Sequence, residues 1–370
     1  MTEVEGTDER QSWRPPAWVR DWTVWVPVIG AILVALAWGW ELGQVLAATV
    51  AALLAASVLA AVHHAEVVAH RVGEPYGSLV LAVAVTVIEV ALIVTLMVSG
   101  GPSTASLARD TVFAAVMITC NGILGLSVLI GALRTHVATF NAEGAATALA
   151  TIATLATLTL VLPSFTTTTP GPEFSPAQLA FAAIASIVLY ASFVIVQTVR
   201  HRDFFVPEAD ADHGADPPSN RQAFASLGLL LVALVAVVGL AKIESPAIED
   251  GVSAIGAPAS AVGVVIALLV LLPESLAAVR NARRDRVQSS LNLAFGSAIA
   301  SIGLTVPAIA VASIWLNGPL VLGLEPTQLV LLAITVVLAA LTVLPGRATV
   351  QEGAVHLVLL GAFLVLAVYP

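Results

Sequence analysis

The sequence predicts an all-α polytopic membrane protein, and three observations lead to this class. Of the 370 residues, 58% are hydrophobic and only 11% are charged, and the mean hydropathy is +0.97. Soluble domains carry roughly 25% charged residues, so lipid must be the solvent for most of this chain. A bilayer crossing takes about 20 apolar residues, which leaves room for ten or eleven helices with short connections. This composition excludes a soluble enzyme, a nucleic-acid-binding protein and a disulfide scaffold.

Eleven apolar runs follow one another, and clusters of Gly and Pro separate them. They lie at about 24–40, 44–66, 77–99, 110–133, 144–162, 177–199, 223–241, 257–279, 288–315, 327–344 and 352–369. We therefore expect about eleven transmembrane helices, organised as one N-terminal helix and two five-helix repeats. The predicted segments are a cytoplasmic tail at 1–23, the extra first helix at 24–42, the first repeat at 43–199, an acidic cytoplasmic loop at 200–222 and the second repeat at 223–370.

The distribution of basic residues sets the predicted orientation. With the N-terminus inside, all Lys and Arg residues except Arg109 and Lys242 fall on the cytoplasmic side, as the positive-inside rule requires. The prediction is a multi-pass protein of the inner (cytoplasmic) membrane with its C-terminus outside. The acidic residues of the 200–222 loop favour a solvated linker over a site that attracts divalent cations. The net charge of −9 argues against a polybasic partner surface, and the single Cys120 excludes a disulfide framework. The expected partners are the transported cations and the lipid bilayer, and the sequence leaves the oligomeric state open.

Two glutamates lie at membrane depth, where an ionised side chain costs several kcal/mol and therefore has to be explained. Glu89 lies twelve residues after Gly77, near the middle of helix 3, with Thr86 and Thr95 as its polar neighbours on that helix. Glu274 lies at a matching depth in helix 8, after Pro273, which should kink the helix and free carbonyl oxygens. The alternative for each is a protonated carboxyl hydrogen-bonded to a neighbouring helix.

An offset of five helices makes the two units opposite in orientation, because an odd number of spans inverts a repeat. Two glutamates at matching depths can then meet at the bilayer centre. The next helices are rich in small polar residues, with TCNGILGLSVLIG at 119–131 on helix 4 and NLAFGSAIASIGLTVP at 292–307 on helix 9. On helix 9, four hydroxyl residues share one face by their spacing, namely Ser290, Ser297, Ser301 and Thr305. Ordinary small-residue packing is the alternative.

The inner end of helix 2 reads HHAEVVAH at 63–70. His63, Glu66 and His70 share a helical face, so a zinc site of an intramembrane metalloenzyme has to be considered. The pattern lacks the H-E-x-x-H form, and no second cluster supplies more ligands. A proton or cation relay to the central site is the favoured interpretation, and an ordinary interfacial helix end is the other.

A resemblance to a known family lies in two long stretches, 66–97 (EVVAHRVGEPYGSLVLAVAVTVIEVALIVTLM) and 269–307 (LVLLPESLAAVRNARRDRVQSSLNLAFGSAIASIGLTVP). They resemble the ChaA-type bacterial calcium/proton antiporters of the cation/proton exchanger branch of the calcium:cation antiporter superfamily. The resemblance implies a central cation site with one glutamate from each inverted repeat, which maps to Glu89 and Glu274. The sequence departs from the family motif G-N-x-x-E, since it has T-V-I-E and L-L-P-E.

The resemblance also implies roles for other residues. It matches Ser297, Ser301 and Asn121 to polar positions that follow the two motifs, with Ser301 where many relatives have Gln. Together with Thr86 beside Glu89 and Asn292 on helix 9, they are the expected supporting polar residues of the site. It matches Glu66 to an acidic residue at the end of helix 2 that is linked in relatives to cation entry or proton transfer, and Glu249 before helix 8 is its expected outer counterpart. With His63 from the HHAEVVAH run, Glu66 is the expected proton or cation relay.

The mechanism that we expect is antiport. Two facing carboxylates reach neutrality either when both are protonated or when both are ionised around one divalent cation, so protons and cation compete for the same oxygens. Ca²⁺ suits such a site because it accepts six to eight flexible oxygen ligands. We expect exchange of cytoplasmic Ca²⁺ for external protons without a bound cofactor. The residues leave open a Na⁺ or K⁺/proton antiporter and, from other classes, a passive cation channel or a metalloenzyme.

Overall fold

A computed structural model describes residues 21–39, 43–73, 76–100, 104–205, 218–316 and 318–370. The basic residues of the predicted tail, Arg10, Arg14 and Arg20, lie outside the described residues. The same holds for most of the acidic loop, namely Glu208, Asp210, Asp212, His213 and Asp216.

Eleven helices, with the broken helix α8a/α8b counted as one, make up most of the described chain, and each overlaps one of the eleven predicted apolar runs. They are α1 (Trp22–Ala37), α2 (Gln44–Val72), α3 (Tyr76–Gly100), α4 (Leu107–Thr135), α5 (Ala142–Ser164), α6 (Pro176–Arg200), α7 (Asn220–Ala254), α8a (Ala261–Val270) with α8b (Leu272–Arg283), α9 (Val287–Ala312), α10 (Pro326–Val343) and α11 (Val350–Val368). A short 3₁₀ helix, Arg202–Phe204, follows α6. Two strands of two residues each, β1 (Ala138–Thr139) in the α4–α5 connection and β2 (Arg347–Ala348) in the α10–α11 connection, pair in an antiparallel ladder.

The helices have the length and hydropathy of membrane spans. Among the described residues, nine helices are long and apolar enough to cross a bilayer. Helices α8a and α8b pass the same test together and are bent by 53° at their junction, and α1 is a shorter apolar helix of 16 residues. Outward-facing apolar side chains such as Phe181, Ile184 and Val188 on α6 are exposed, as lipid contact requires. The prediction of an all-α polytopic membrane protein is confirmed.

Two helices are longer than the sequence predicts, because a charged residue ends an apolar run without ending a helix. Helix α2 continues through the HHAEVVAH run to Val72 and stops at Gly73, whose φ of 76° suits glycine. Helix α7 does not end near 241 but continues through Pro246 to Ala254. Its 35 residues correspond to about 52 Å at 1.5 Å per residue, so it extends well beyond a hydrocarbon core of about 30 Å.

Helices α4 and α9 each contain a π-helical turn near the middle, at Ile118–Ile123 and Ser301–Thr305. Such turns shift the side chains that follow them by one position and are frequent at functional sites. These two helices are five apart, as the inverted-repeat prediction requires. The repeat boundaries themselves remain a prediction.

The apolar interior is divided into two main clusters. The larger one joins α4, α5, α6, α9, α10 and α11 around residues such as Phe113, Phe295 and Leu155. The second joins α1, α2, α3 and α7 around Val50, Leu92 and Leu240. Helix α8a contributes to both clusters, with Ala267 in the first and Ile266 in the second. The protein therefore consists of two packed bodies that meet along α3 and α8.

Helix α1 packs closely on α2 and α7. A Cβ at Gly239 of α7 would lie 2.5 Å from Val34 Cγ1, so the two backbones approach as closely as glycine allows. At the start of α1, Asp21 accepts hydrogen bonds from the backbone N–H and the hydroxyl of Thr23, which hold the pKa of Asp21 below its usual value. The Thr23 carbonyl in turn accepts from Nε2 of buried His64 at 3.0 Å. The first helix thus belongs to the second body.

Candidate cation site

A central cavity of about 160 Å³ lies where α3, α6, α8 and α9 meet, with Ala115 of α4 in its wall. Glu89 and Glu274 both line this cavity and are almost fully buried, with exposed fractions of 3% and 7%. The two glutamates that the sequence places at membrane depth therefore face one common cavity.

Glu89 is held from the opposite helix. It lies thirteen residues after Tyr76 and eleven before Gly100, so helix geometry places it near the middle of α3. Ser301 Oγ donates a hydrogen bond of 2.7 Å to Glu89 Oε1. Ser301 opens the π turn of α9, and this turn lets its hydroxyl point at the carboxylate. The bond joins α3 and α9 directly across the cavity wall.

Glu274 owes its position to the break in helix 8. Helix α8a ends at Val270 and α8b begins at Leu272, with Pro273 in its first turn, as the sequence predicted from the missing proline N–H. Glu274 lies in the first turn of α8b, where unpaired N–H groups and the helix dipole favour a negative charge. Its Oε2 is buried and has no hydrogen-bond partner among the described residues. One carboxylate oxygen is thus available to a ligand in the cavity.

Four of the five predicted supporting residues line the same cavity as the glutamates. They are Thr86, Asn292, Ser297 and Ser301. Carboxylate, hydroxyl and amide oxygens therefore converge on one volume, and this is the ligand chemistry that hard cations prefer.

Asn121 is the exception, and its predicted place beside the glutamates needs correction. It is fully buried in the π turn of α4 but faces α10 and α11. Its Nδ2 donates to Thr335 Oγ1 at 2.9 Å, and its Oδ1 accepts from Nδ1 of His356 at 3.0 Å. Nε2 of His356 accepts from the Thr342 hydroxyl at 3.0 Å. The amide is occupied by its own network and does not line the central cavity.

The predicted relay residues on α2 lie toward the C-terminal end of that helix. Glu66 and His63 are both exposed, and the His63 ring meets the buried His64 ring edge-on with centroids 5.4 Å apart. Glu66 does not line the central cavity, but its helix packs against α8b, which carries Glu274. Among the residues that the structure describes, no three His, Cys, Asp or Glu side chains are arranged to hold a metal ion.

Glu249 lies on the other side of the protein. It lines a separate cavity of about 220 Å³ together with Asp110, Ser106 and Ser253, and its Oε1 accepts a hydrogen bond from Ser245 at 3.1 Å. This second cavity is walled by the ends of α3, α4, α7 and α8a. The outer location and the relay role of Glu249 remain predictions.

Sequence reasoning missed several residues. Tyr190 and Gln197 of α6 line the central cavity, and the only signal for Gln197 was an amide late in an otherwise apolar helix. Arg109 was predicted as an outer loop charge, yet it is buried in the first turn of α4 and bonded to Asp110 at 2.8 Å and to Glu325 at 3.3 Å. The contacts of these polar side chains depend on how each helix is rotated about its own axis, and hydropathy carries no information about that rotation.

Comparisons with known proteins identify the family to which this chain belongs. The family model for sodium/calcium exchanger proteins matches residues 40–199 and 225–369. A protein of Sinorhizobium fredii named as an ionic transporter, y4hA, is 44% identical over 356 residues, which cover 94% of this chain and 96% of the relative. The sodium-potassium/proton antiporter ChaA of Escherichia coli is 34% identical over 347 residues, covering 91% and 93%.

A solved structure shows the same fold. The Ca²⁺/H⁺ antiporter protein YfkE superposes with a TM-score of 0.71 at 17% identity, over 94% of this chain and all of the other. The matched family consists of ion exchangers, so the metalloenzyme alternative is set aside. The chain belongs to the sodium/calcium exchanger protein family and is a multi-pass cation exchanger of the membrane.

Proposed function

We propose that this protein exchanges cytoplasmic Ca²⁺ for external protons, driven by the proton-motive force. The observation that carries the proposal is the convergence of Glu89 and Glu274 on one cavity inside the membrane. An empty site with two ionised carboxylates is costly in a low-dielectric interior. The site is neutral either with two protons or with one divalent cation, so the two loads exclude each other.

The competition for oxygens gives the expected stoichiometry. A Ca²⁺ ion that approaches Glu274 Oε2 and the Glu89 carboxylate would complete its shell with hydroxyls such as Ser297 and with water. Two protons would return for each divalent ion. For Na⁺ or K⁺, a single positive charge would leave one of the two glutamates protonated, and the exchange would be one for one.

A second cation class has an observation in its favour. The relative from Escherichia coli, 34% identical over 91% of this chain, is named as a sodium-potassium/proton antiporter. The Ca²⁺/H⁺ antiporter YfkE shares the fold at only 17% identity. The second candidate is therefore a Na⁺ or K⁺/proton antiporter that uses the same two glutamates.

The two packed bodies suggest how the site changes sides. We infer that α1, α2 and α7 move as one unit against the body that holds α4, α5, α6, α9, α10 and α11, with the glutamates at the boundary. In the proposed orientation, with the N-terminus inside the inner membrane, the lining residues of α3, α6 and α9 lie on the cytoplasmic halves of these helices. The cavity then represents an inward-facing state, and Glu66 lies along the path to it.

The test is a cation screen in everted vesicles energised with a proton gradient and read with a pH-sensitive dye. Addition of CaCl₂, NaCl or KCl should release the quenched dye with Ca²⁺ as the most effective ion. Glu89→Gln and Glu274→Gln should each abolish the response, while the exposed Glu143→Gln on α5 serves as a matched control with normal activity. A full response in either cavity variant contradicts the proposed site, and a response to Na⁺ or K⁺ alone selects the second candidate.

A further inference from the structure

A chain of hydrogen bonds runs from a backbone amide to the wall of the central cavity. The Asn141 N–H donates to Gln288 Oε1 at 2.6 Å, and Gln288 Nε2 donates to Asn292 Oδ1 at 2.8 Å. Asn292 lines the cavity, and its Nδ2 donates a hydrogen bond to the Phe205 carbonyl. Three separate segments are thereby tied together: the N-cap of α5, the first turns of α9 and the residues that follow α6.

The direction of this chain is fixed by its two ends. A backbone N–H can only donate and a backbone carbonyl can only accept, so each of the two side-chain amides has one permitted orientation. Gln288 must present its oxygen to Asn141 and its NH₂ group to Asn292. Asn292 must then present its NH₂ group to Phe205, and its oxygen keeps one lone pair for the cavity. Gln288 thus selects the orientation of the amide in the cavity wall.

Phe205, whose carbonyl ends this series of hydrogen bonds, is also held by packing on two further sides. Its ring packs edge-on against Phe193 of α6, with centroids 5.8 Å apart, and Phe193 also lines the cavity. The preceding Phe204 carbonyl lies against Gly144 of α5, where a Cβ would come within 2.6 Å of its oxygen. The segment Arg202–Phe205 is therefore docked beside the half of the cavity formed by Phe193 and Asn292.

We propose that Gln288 is a positioning residue for cation transport from the cytoplasmic side. Its side chain does not line the central cavity. It fixes the amide of Asn292 in the cavity wall and, through it, the Arg202–Phe205 segment beside the mouth of the cavity. The proposal rests on the proposed antiport function and adds a residue that determines how the site is presented to the cytoplasm.

The test compares both faces of the membrane. In Gln288→Leu, the KM for the transported cation should rise about threefold to tenfold when the cation is supplied from the cytoplasmic face, as expected for the loss of one or two hydrogen bonds. The KM from the external face, measured in right-side-out vesicles, and the maximal rate should be unchanged. Gln288→Glu keeps the acceptor for Asn141 but lacks the NH₂ donor, so this isosteric variant should show the same one-sided change. Gln288→Glu also provides the test of the proposal if the Gln288→Leu variant does not fold.

A second readout does not depend on transport. The only native thiol, Cys120, is buried, so Ser297→Cys in a Cys120→Ala background introduces one reactive thiol in the cavity wall. Its labelling by a membrane-impermeant thiol reagent from the cytoplasmic face should become at least about twofold faster when Gln288→Leu or Gln288→Glu is added. Without the Gln288 hydrogen bonds, Asn292 and the Arg202–Phe205 segment are held less firmly beside the cavity, so the reagent enters more easily.

The matched control is Gln178→Leu, which removes a capping amide of α6, bonded to Ser175 at 2.9 Å, away from the cavity. It should change neither the cytoplasmic KM nor the labelling rate. The proposal is overturned if both Gln288 variants keep the normal cytoplasmic KM and labelling rate, or if KM rises equally on both faces. A wild-type protein that moves no protons in response to any cation refutes the antiport function instead, while the labelling experiment still decides the role of Gln288.

Discussion

Ser301 Oγ donates a hydrogen bond of 2.7 Å to Glu89 Oε1, across 212 residues of sequence. Both side chains are buried, with exposed fractions of 5% and 3%. A hydrogen bond to a carboxylate contributes about 1.5–3 kcal/mol, more than one between neutral groups, because the acceptor carries a charge. The contact therefore fixes the orientation of one of the two proposed cation ligands and connects the π turn of α9 to the site.

Ser301→Ala should weaken cation binding without abolishing exchange. The Glu89 carboxylate loses the 2.7 Å hydrogen bond from Ser301 Oγ and has to be ordered when the cation binds, so the cation KM should rise about tenfold. Ser301→Thr keeps the hydroxyl and should recover most of the affinity. Cation-dependent proton movement in everted vesicles measures both. The control is Ser313→Ala, since the Ser313 hydroxyl bonds only to the Ala310 carbonyl near the far end of α9. An unchanged KM in Ser301→Ala would show that this bond does not contribute to the site.

Pro273→Ala should impair transport although it restores a backbone N–H. With a donor at position 273, helix 8 can continue across Leu271, and a continuous helix would gain about 3 kcal/mol relative to one that contains proline. Straightening the 53° bend would move Glu274 away from the cavity, so the exchange rate should fall at least about tenfold. Pro246→Ala in α7, remote from the cavity, is the control and should transport normally. Normal exchange by Pro273→Ala would mean that the packing around α8, and not the proline, sets the bend.

Asn121→Ala should act on stability and not on cation affinity. Its removal takes away the acceptor of the buried Nδ1–H of His356 and the donor to the Thr335 hydroxyl, which keeps its contact with Met117 Sδ at 3.4 Å, at a cost of about 1–3 kcal/mol. The midpoint of thermal unfolding in detergent should fall, while the cation KM stays within about twofold. His356→Leu should reproduce the loss of stability. A KM increase as large as that of Ser301→Ala would instead support the role beside the glutamates that the sequence assigned to Asn121.

Gly239→Ala should loosen the attachment of α1. The new methyl group would meet Val34 at 2.5 Å, and such overpacking costs about 1–3 kcal/mol. Gly228→Ala is the matched control on the same helix, because no atom lies within 4 Å of its Cβ position. Exchanging that helical glycine should stabilise the protein by about 0.5–1 kcal/mol. Thermal unfolding in detergent measures both, and equal midpoints for the two variants would contradict the close packing of α1 on α7.

The sequence determined the class of the protein, the number of its helices and the depth of its two central glutamates. These properties follow from local rules. A continuous apolar run of about 20 residues that spans lipid is helical, because a helix is the structure that satisfies all backbone hydrogen bonds within the run itself. A buried carboxylate in such a run needs a function, and that argument selected Glu89 and Glu274 before any contact was known. The break at Pro273 was equally local, because it depends on a missing N–H.

The tertiary structure decided which polar groups share a cavity. Asn121 and Ser301 both lie in π turns of helices with similar composition, yet Ser301 meets Glu89 and Asn121 meets His356, 235 residues away. Gln197 and Gln288 gave no comparable signal, since a single amide in a long helix is neutral to hydropathy. The rotation of each helix about its axis, and its packing against partners more than a hundred residues distant, set these contacts. That information lies in the fit of side chains between helices and not in the period or length of any one of them.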